Sequence, residues 1–311
     1  MLVDLAYVAL GFVGLYAGAR WLVRAASSLA ISFGLSRTVT GLTVVALGIS
    51  APALAVNITA SLTNSGELAL GNVIGSNMAG IGLGLGIAGL VTALVVNDLK
   101  IKSRLRVLAV LAFLVALMAY DGELGRSEGY FLVLAYVGYT IYTILFARYD
   151  IAEGDDVGVT VSRLRETAVL LAGLVAVAAG ARGMVIGADR IASGNGIDGV
   201  LIGITLVALA TSLPVLVAAI GSARSGNPEQ AVGSVVGSTV SNLLLVLGIT
   251  VIISPMTLAP ASMRFGFGAT LILALALLPM LRDRRFSRVE SSILVVAYLA
   301  FVTLAIFVVF G

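Results

Sequence analysis

The sequence predicts an all-α integral membrane protein with ten transmembrane helices, built as two inverted-topology repeats of five. Three observations predict it: an extreme apolar composition, apolar runs of membrane length, and a self-similarity at a fixed offset of 162 residues. The 311 residues are 59% hydrophobic and only 11% charged, and the mean hydropathy is +1.10. A chain with so little polar surface cannot cover a water-soluble globule. Its apolar runs are also too long for the alternating ten-residue strands of an outer-membrane barrel.

Read against breakers and charges, the runs place spans at 2–22, 38–62, 67–96, 105–120, 129–147, 166–189, 199–222, 229–253, 263–281 and 289–310. The first run lacks a basic leading segment and a small-residue cleavage site, so it is expected to be a retained span and not a removed signal peptide. The one long polar connection is ARYDIAEGDDVGVTVSRLRE, 147–166. It divides the chain into a first five-helix repeat, 1–147, a linker, 148–165, and a second five-helix repeat, 166–311. With ten spans, 15 of the 19 basic residues fall on one side, leaving Arg126, Arg182, Arg190 and Arg264 on the other. The positive-inside rule makes the first side cytoplasmic and puts both termini outside, with a prokaryotic inner membrane the expected location. Orientation also explains the pI near 9.3, so no nucleic-acid partner is expected; the partners are the lipid bilayer and a small ion or small-molecule substrate. Oligomeric state is not encoded in any visible pattern. There is no Cys and no His, which excludes disulfides, thiolate or imidazole metal sites and the usual proton relay near neutral pH.

The repeat is ungapped. Pro52 pairs with Pro214 at an offset of 162, and so do Gly18-Ala-Arg with Gly180-Ala-Arg, Val45-Ala-Leu with Val207-Ala-Leu, Gly75-Ser76 with Gly237-Ser238, and Gly86-Ile87 with Gly248-Ile249. Equivalent positions are separated by five spans, an odd number, so the second copy is inverted. That architecture places a substrate site near the midplane, where corresponding helices of the two halves are interrupted.

Pro52 and Pro214 sit in such runs, and each removes a backbone donor and crowds the carbonyl one turn earlier. The expectation is a pair of helix breaks at Pro52 and Pro214, with local unwinding at Gly75 and Gly237. Non-helical backbone at membrane depth survives only where it lines a polar cavity. The pocket is therefore expected to draw on the carbonyls of Ala46 and Ala208, on Ser50, Thr211 and Ser212, and on Ser76, Asn77, Ser238 and Asn242. Asn57, one turn beyond Ala53, either reaches the pocket or makes a helix-to-helix hydrogen bond.

The segments TVVALGISAPAL with GNVIGSNMAG, and TLVALATSLPVL with GSVVGSTVSN, resemble the paired repeats of the calcium:cation antiporter superfamily, which includes the sodium/calcium exchangers. The resemblance covers essentially all ten spans and implies the sodium/calcium exchanger fold, alternating access, and rocking of helices 1 and 6 against the core. It also exposes a departure. The family's principal calcium ligand is a glutamate after each motif proline, and Ala53 and Val215 stand in those places. A further family ligand falls at Gly80 in the first half and Asn242 in the second.

Calcium takes six to eight oxygens, carboxylates prominent among them, and a doubly charged ion in a bilayer needs its charge offset. Classical calcium exchange is not expected of this chain. Three readings remain open. Ser50, Ser76, Ser212 and Ser238 could hold a monovalent cation such as sodium; the enlarged, uncharged pocket could take an anionic or zwitterionic organic or lipid-like substrate; or the chain could be a transport-inactive scaffold or regulatory membrane protein. No catalytic residue and no cofactor are expected: the serines have no base to activate them, and GLGIAG, 84–89, lies within an apolar span with no preceding strand. Arg20 and its counterpart Arg182 read as snorkelling anchors, or as electrostatic gates if the substrate is anionic.

Overall fold

The structure is a computed structural model that describes residues 2–33, 46–95, 99–148, 162–257, 260–280 and 285–310. Most of the linker, with Asp155 and Asp156, and the beginning of the second span, with Thr43 and Val45, lie outside the described residues. Apolar runs of this length become helices because only internal hydrogen bonds satisfy the backbone in hydrocarbon.

In the first half the helices are α1 (Leu2–Ser32), α2 (Ala46–Leu62), α3 (Gly66–Ala79), α4 (Gly86–Val91), α5 (Leu99–Met118) and α6 (Arg126–Arg148). The second half contains α7 (Arg163–Asn195), α8 (Gly199–Ile202), α9 (Ala208–Arg224), α10 (Pro228–Ser241), α11 (Leu247–Ile253), α12 (Pro260–Met280) and α13 (Arg288–Phe310). Three π-helical turns join consecutive pieces: Gly80–Leu85 between α3 and α4, Gly203–Val207 between α8 and α9, and Asn242–Val246 between α10 and α11. Counting each joined pair once gives ten helical units among the described residues. Seven are membrane-length by size and composition, and Leu47–Leu62 and Ser262–Leu278 are shorter apolar helices.

The 162-residue offset reappears in the element boundaries. α2 superposes in numbering on α9, α3 on α10 and α6 on α13, end for end. Four two-residue strands show the inversion directly. β1 (Leu94–Val95) pairs antiparallel with β4 (Arg285–Phe286), and β2 (Glu123–Leu124) pairs with β3 (Met256–Thr257). The offset carries β1 onto β3 and β2 onto β4, so exchanging the halves converts one pair into the other in register. Each pair ties a first-half connection to a second-half connection, one pair at each end of the bundle.

α1 and α7 run longer than the expected spans, to Ser32 and from Arg163. At 1.5 Å per residue they exceed a hydrocarbon core of about 30 Å, which tilt accommodates. They pack against each other through glycine: a Cβ at Gly18 would lie 2.7 Å from the Val177 amide nitrogen, and one at Gly180 would lie 2.5 Å from that of Leu15. Such backbone contact is the small-residue packing that lipid-embedded helices use.

The expected breaks are displaced. Pro52 and Pro214 lie inside α2 and α9, and Gly75 and Gly237 lie inside α3 and α10. None of the four positions is unwound. Irregularity falls instead at Gly80 and Asn242, again a repeat-related pair, and at Gly203–Val207 just before α9. A π-turn relieves the ladder by widening it by one residue, without exposing backbone to hydrocarbon.

Candidate functional site

α2, α3, α9 and α10 pack against one another at the centre of the bundle. α3 comes closest to the π-turn before α9: a Cβ at Gly203 would lie 2.8 Å from the Gly71 Cα, and one at Gly71 would collide with the Val200 carbonyl oxygen. Close approach at Gly71 and Gly203 brings the polar faces of the two halves together.

There the structure assembles a continuous hydrogen-bonded network. Asn72 is its hub: its Oδ1 accepts from the Thr211 hydroxyl at 2.7 Å and from the Ser76 hydroxyl at 3.2 Å, and its Nδ2 donates to Asn57 Oδ1 at 2.6 Å. Asn57 Nδ2 then donates to the Ala69 carbonyl at 2.9 Å and to Thr250 Oγ1 at 3.0 Å. The Thr250 hydroxyl donates to the Val246 carbonyl, 2.6 Å away at the end of a π-turn. Ser76 and Thr211, from opposite halves, are 3.2 Å apart. Asn57 therefore serves as a helix-to-helix tie among α2, α3 and α11.

Among the described residues, further buried polar atoms have no hydrogen-bond partner: on the central helices Ser50 Oγ, Ser212 Oγ, both amide atoms of Asn77, Asn242 Oδ1, Ser61 Oγ and Ser241 Oγ, and elsewhere Ser27 Oγ and the Tyr298 hydroxyl. Buried polar groups are nearly always satisfied, and each exception calls for a reason. Ser50 and Ser212 are repeat-related, as are Asn242 and Gly80. Ser238 is buried on α10 beside them in sequence, and Thr239 turns its hydroxyl back to the Val235 carbonyl at 2.9 Å. Ala53 and Val215 are 5% and 4% exposed, so the positions after the prolines face the interior. A Cβ at Gly80 would lie 3.8 Å from Val235 and 3.9 Å from the Thr239 hydroxyl, ordinary contact that leaves room for a side chain directed at α10. α2 begins at Ala46, and Ala208 opens α9, where its carbonyl lies 3.3 Å from the Thr211 hydroxyl.

Every buried polar side chain among the described residues is a serine, threonine or asparagine, apart from the hydroxyl of Tyr298; none is charged. Among the described residues no carboxylate is buried; Asp198 caps α8 through the Val200 amide at 2.7 Å, and Asp189 accepts from Ser65 at 3.3 Å. No grouping of three or more metal-ligating acids, histidines or cysteines occurs among the described residues. The interior can thus offer an incoming solute neutral oxygen and amide groups only.

Sequence reasoning missed the hub. Asn72 stands inside GNVIGSN, but the repeat replaces it with Ser234, and a search for matched pairs passes over it. Thr250 was missed for the same reason, its counterpart being Ala88.

A separate cavity of about 570 Å³ lies where α1 meets α2 and α9, lined by Tyr16, Arg20, Trp21, Val23, Arg24, Gly48, Ile49 and Pro214 among others. Arg20 stacks over Tyr16, its guanidinium carbon 5.8 Å from the ring centroid. Arg182, its repeat counterpart, is exposed and does not line this cavity.

Inverted helical repeats around a buried central cluster of small polar residues define an exchanger-type membrane transporter. The chain belongs to the sodium/calcium exchanger protein family, whose sequence profile matches it twice, over residues 3–145 and 166–307. It is 33% identical over 314 residues to the putative antiporter CaxA of Alkalimonas amylolytica, covering 97% of this chain and 98% of that protein. It is 31% identical over 285 residues to the inner membrane protein YrbG of Escherichia coli strain K12, covering 88% and 87%. Among solved structures it resembles the sodium-calcium exchanger NCX_Mj soaked with 10 mM Na+ and zero Ca2+, with a TM-score of 0.71, 26% identity, and coverage of 97% and 98%. The first of these is named as an antiporter and the solved structure as an exchanger, and the chain, a transporter of the same family, is not an enzyme.

Proposed function

We propose that this exchanger-family transporter carries a monovalent cation, sodium being the first candidate, through a site of neutral oxygens. The carrying observation is the set of buried, unpartnered Ser50, Ser212, Asn77 and Asn242 atoms in an interior without a buried charge. Unsatisfied oxygens at membrane depth are costly unless something passes through to use them. A singly charged ion asks far less compensation than calcium, whose sites are built on carboxylates. Ser76 and Ser238 would complete the cage, and Asn72 would hold Ser76 and Thr211 in place beside it.

Alternating access supplies the transport step. The α1–α7 pair, tied by its glycine contacts, moves as one body against α2, α3, α9 and α10, exposing the site to each face in turn. The excess of basic residues on one side orients that side inward, with both chain ends outside. Similarity to a protein named for the inner membrane supports the same location.

The experiment is sodium flux into liposomes holding the purified chain, driven by an imposed sodium gradient. The reading expects saturable sodium uptake that falls about tenfold or more in Ser50→Ala/Ser212→Ala, since losing two ligands at roughly 1 kcal/mol each costs that much affinity. Uptake unchanged in the double variant, or saturable calcium uptake abolished by it, would overturn the reading.

A further inference from the structure

We infer that the cavity between α1, α2 and α9 is a binding site for an anionic phospholipid, with its phosphate on Arg20 and Arg24 and an acyl chain against Ile49 and Pro214. Arg20 and Arg24 are one helical turn apart and so share a face of α1. Both line the cavity, and no carboxylate does among the described residues. Arg20 lies 16 residues beyond Asp4, about 24 Å along the axis, which puts it near the far edge of a hydrocarbon core of about 30 Å. A guanidinium at that depth is costly unless it is paired or reaches the interface. Among the described residues, it meets the face of Tyr16.

The rest of the wall is apolar: Ala17, Ala19, Val23, Ile49 and Pro214. Its volume of about 570 Å³ falls in the usual range of small-molecule sites, about 300–1,000 Å³. Trp21, 49% exposed, stands on the rim and has the amphipathic ring favoured at the headgroup level. A second cavity of about 310 Å³ continues from the same Trp21 and Arg24 to Arg165, Glu166, Val169 and Ala172. It offers a headgroup one further cation and one carboxylate. A small soluble anion would use the arginines and leave the apolar wall unmatched, whereas a phospholipid matches both.

The repeat-related position lacks the second arginine: Arg24 corresponds to Ile186, and Arg182 is exposed. The arginine pair therefore marks one end of the bundle. The lipid site sits at the seam between α1 and the central helices, independent of which ion is carried.

The test is native mass spectrometry of the full chain, reconstituted in phosphatidylcholine nanodiscs containing phosphatidylglycerol and released into detergent. The wild type is expected to retain phosphatidylglycerol, and Arg20→Gln/Arg24→Gln to lose about 30-fold in affinity, as two basic residues near an anionic surface imply. Ala17→Phe, which fills the apolar wall and keeps both arginines, is expected to lose retention as well, while Arg182→Gln retains lipid like the wild type. Equal retention by wild type and Arg20→Gln/Arg24→Gln would overturn the assignment, as would equal retention of phosphatidylcholine. Retention of inorganic phosphate but not of phosphatidylglycerol would also overturn it, by showing a free-anion site. None of these readouts depends on ion transport, so the flux experiment can fail without touching this one.

Discussion

The two repeats share helix boundaries to within a residue yet differ in what fills them. Asn57 and Asn72 of the first half, joined by Thr250 of the second, knit α2, α3 and α11 together, whereas the repeat-related positions are Ala219 and Ser234 in the second half and Ala88 in the first. Ser234 bonds only its own helix, at the Ala231 carbonyl, 2.9 Å away. Gly71 and Gly75 are buried against the second half, while Gly233 and Gly237 are half-buried. Inverted symmetry therefore fixes where helices turn and pair, but not which end carries the polar ties. Among the described residues, the amide network links helices through Asn57, Asn72 and Thr250, and no such link joins the repeat-related positions.

The comparison is most open to attack at Asn72. Asn72→Ala strips two donors of their acceptor and orphans the Asn57 oxygen, all fully buried. A loss of about 3 kcal/mol is expected, visible as a lowered thermal unfolding midpoint of the detergent-purified protein. Equal sensitivity at Ser234→Ala would remove the asymmetry. Next in size is Gly75→Ala. A Cβ there would meet the Ile204 carbonyl oxygen and lie 2.6 Å from the Ala208 Cβ, and overpacking against backbone costs about 1–3 kcal/mol. At Gly237 an added Cβ meets no atom of the described residues within 4 Å. Gly237→Ala should stay within about 0.5 kcal/mol of the wild type in the same melt, or stabilise slightly through helix propensity. Smallest of all should be Ser234→Ala itself, about 0.5 kcal/mol or less, because only an intrahelical bond is lost.

Much of the fold was legible in the sequence, and for an identifiable reason. The ten runs and the 162-residue offset record hydrophobicity and spacing, which the bilayer reads directly. The pairing of β1 with β4 and of β2 with β3 follows the inversion that the offset implies. The helix interruptions were misplaced because proline was taken to break whatever helix holds it. In lipid, neighbouring helices and local π-turns can satisfy the freed groups, so Pro52 and Pro214 sit in continuous helices while Gly80 and Asn242 carry the irregularity. Within the site, matched residues such as Ser50 and Ser212 stand out by repetition. Asn72 and Thr250 do not, because their function in the network depends on contacts between halves that are 139 and 193 residues apart in sequence. No local pattern encodes such a contact.

On the proposed function, an interior with apolar Ala53 and Val215 in place of carboxylates, and with the neutral oxygens of Ser50, Ser76, Ser212 and Ser238, selects a monovalent cation over calcium. Isothermal titration of sodium and of calcium into the purified wild type and into Ala53→Glu/Val215→Glu tests it most directly. Two carboxylates at those buried positions should raise calcium affinity by about 100-fold or more, the scale on which ligand charge moves calcium sites. The account predicts saturable sodium binding and no calcium binding in the wild type, with calcium binding appearing in the double variant. Tight calcium binding by the wild type, lost in Ser50→Ala/Ser212→Ala, would contradict it.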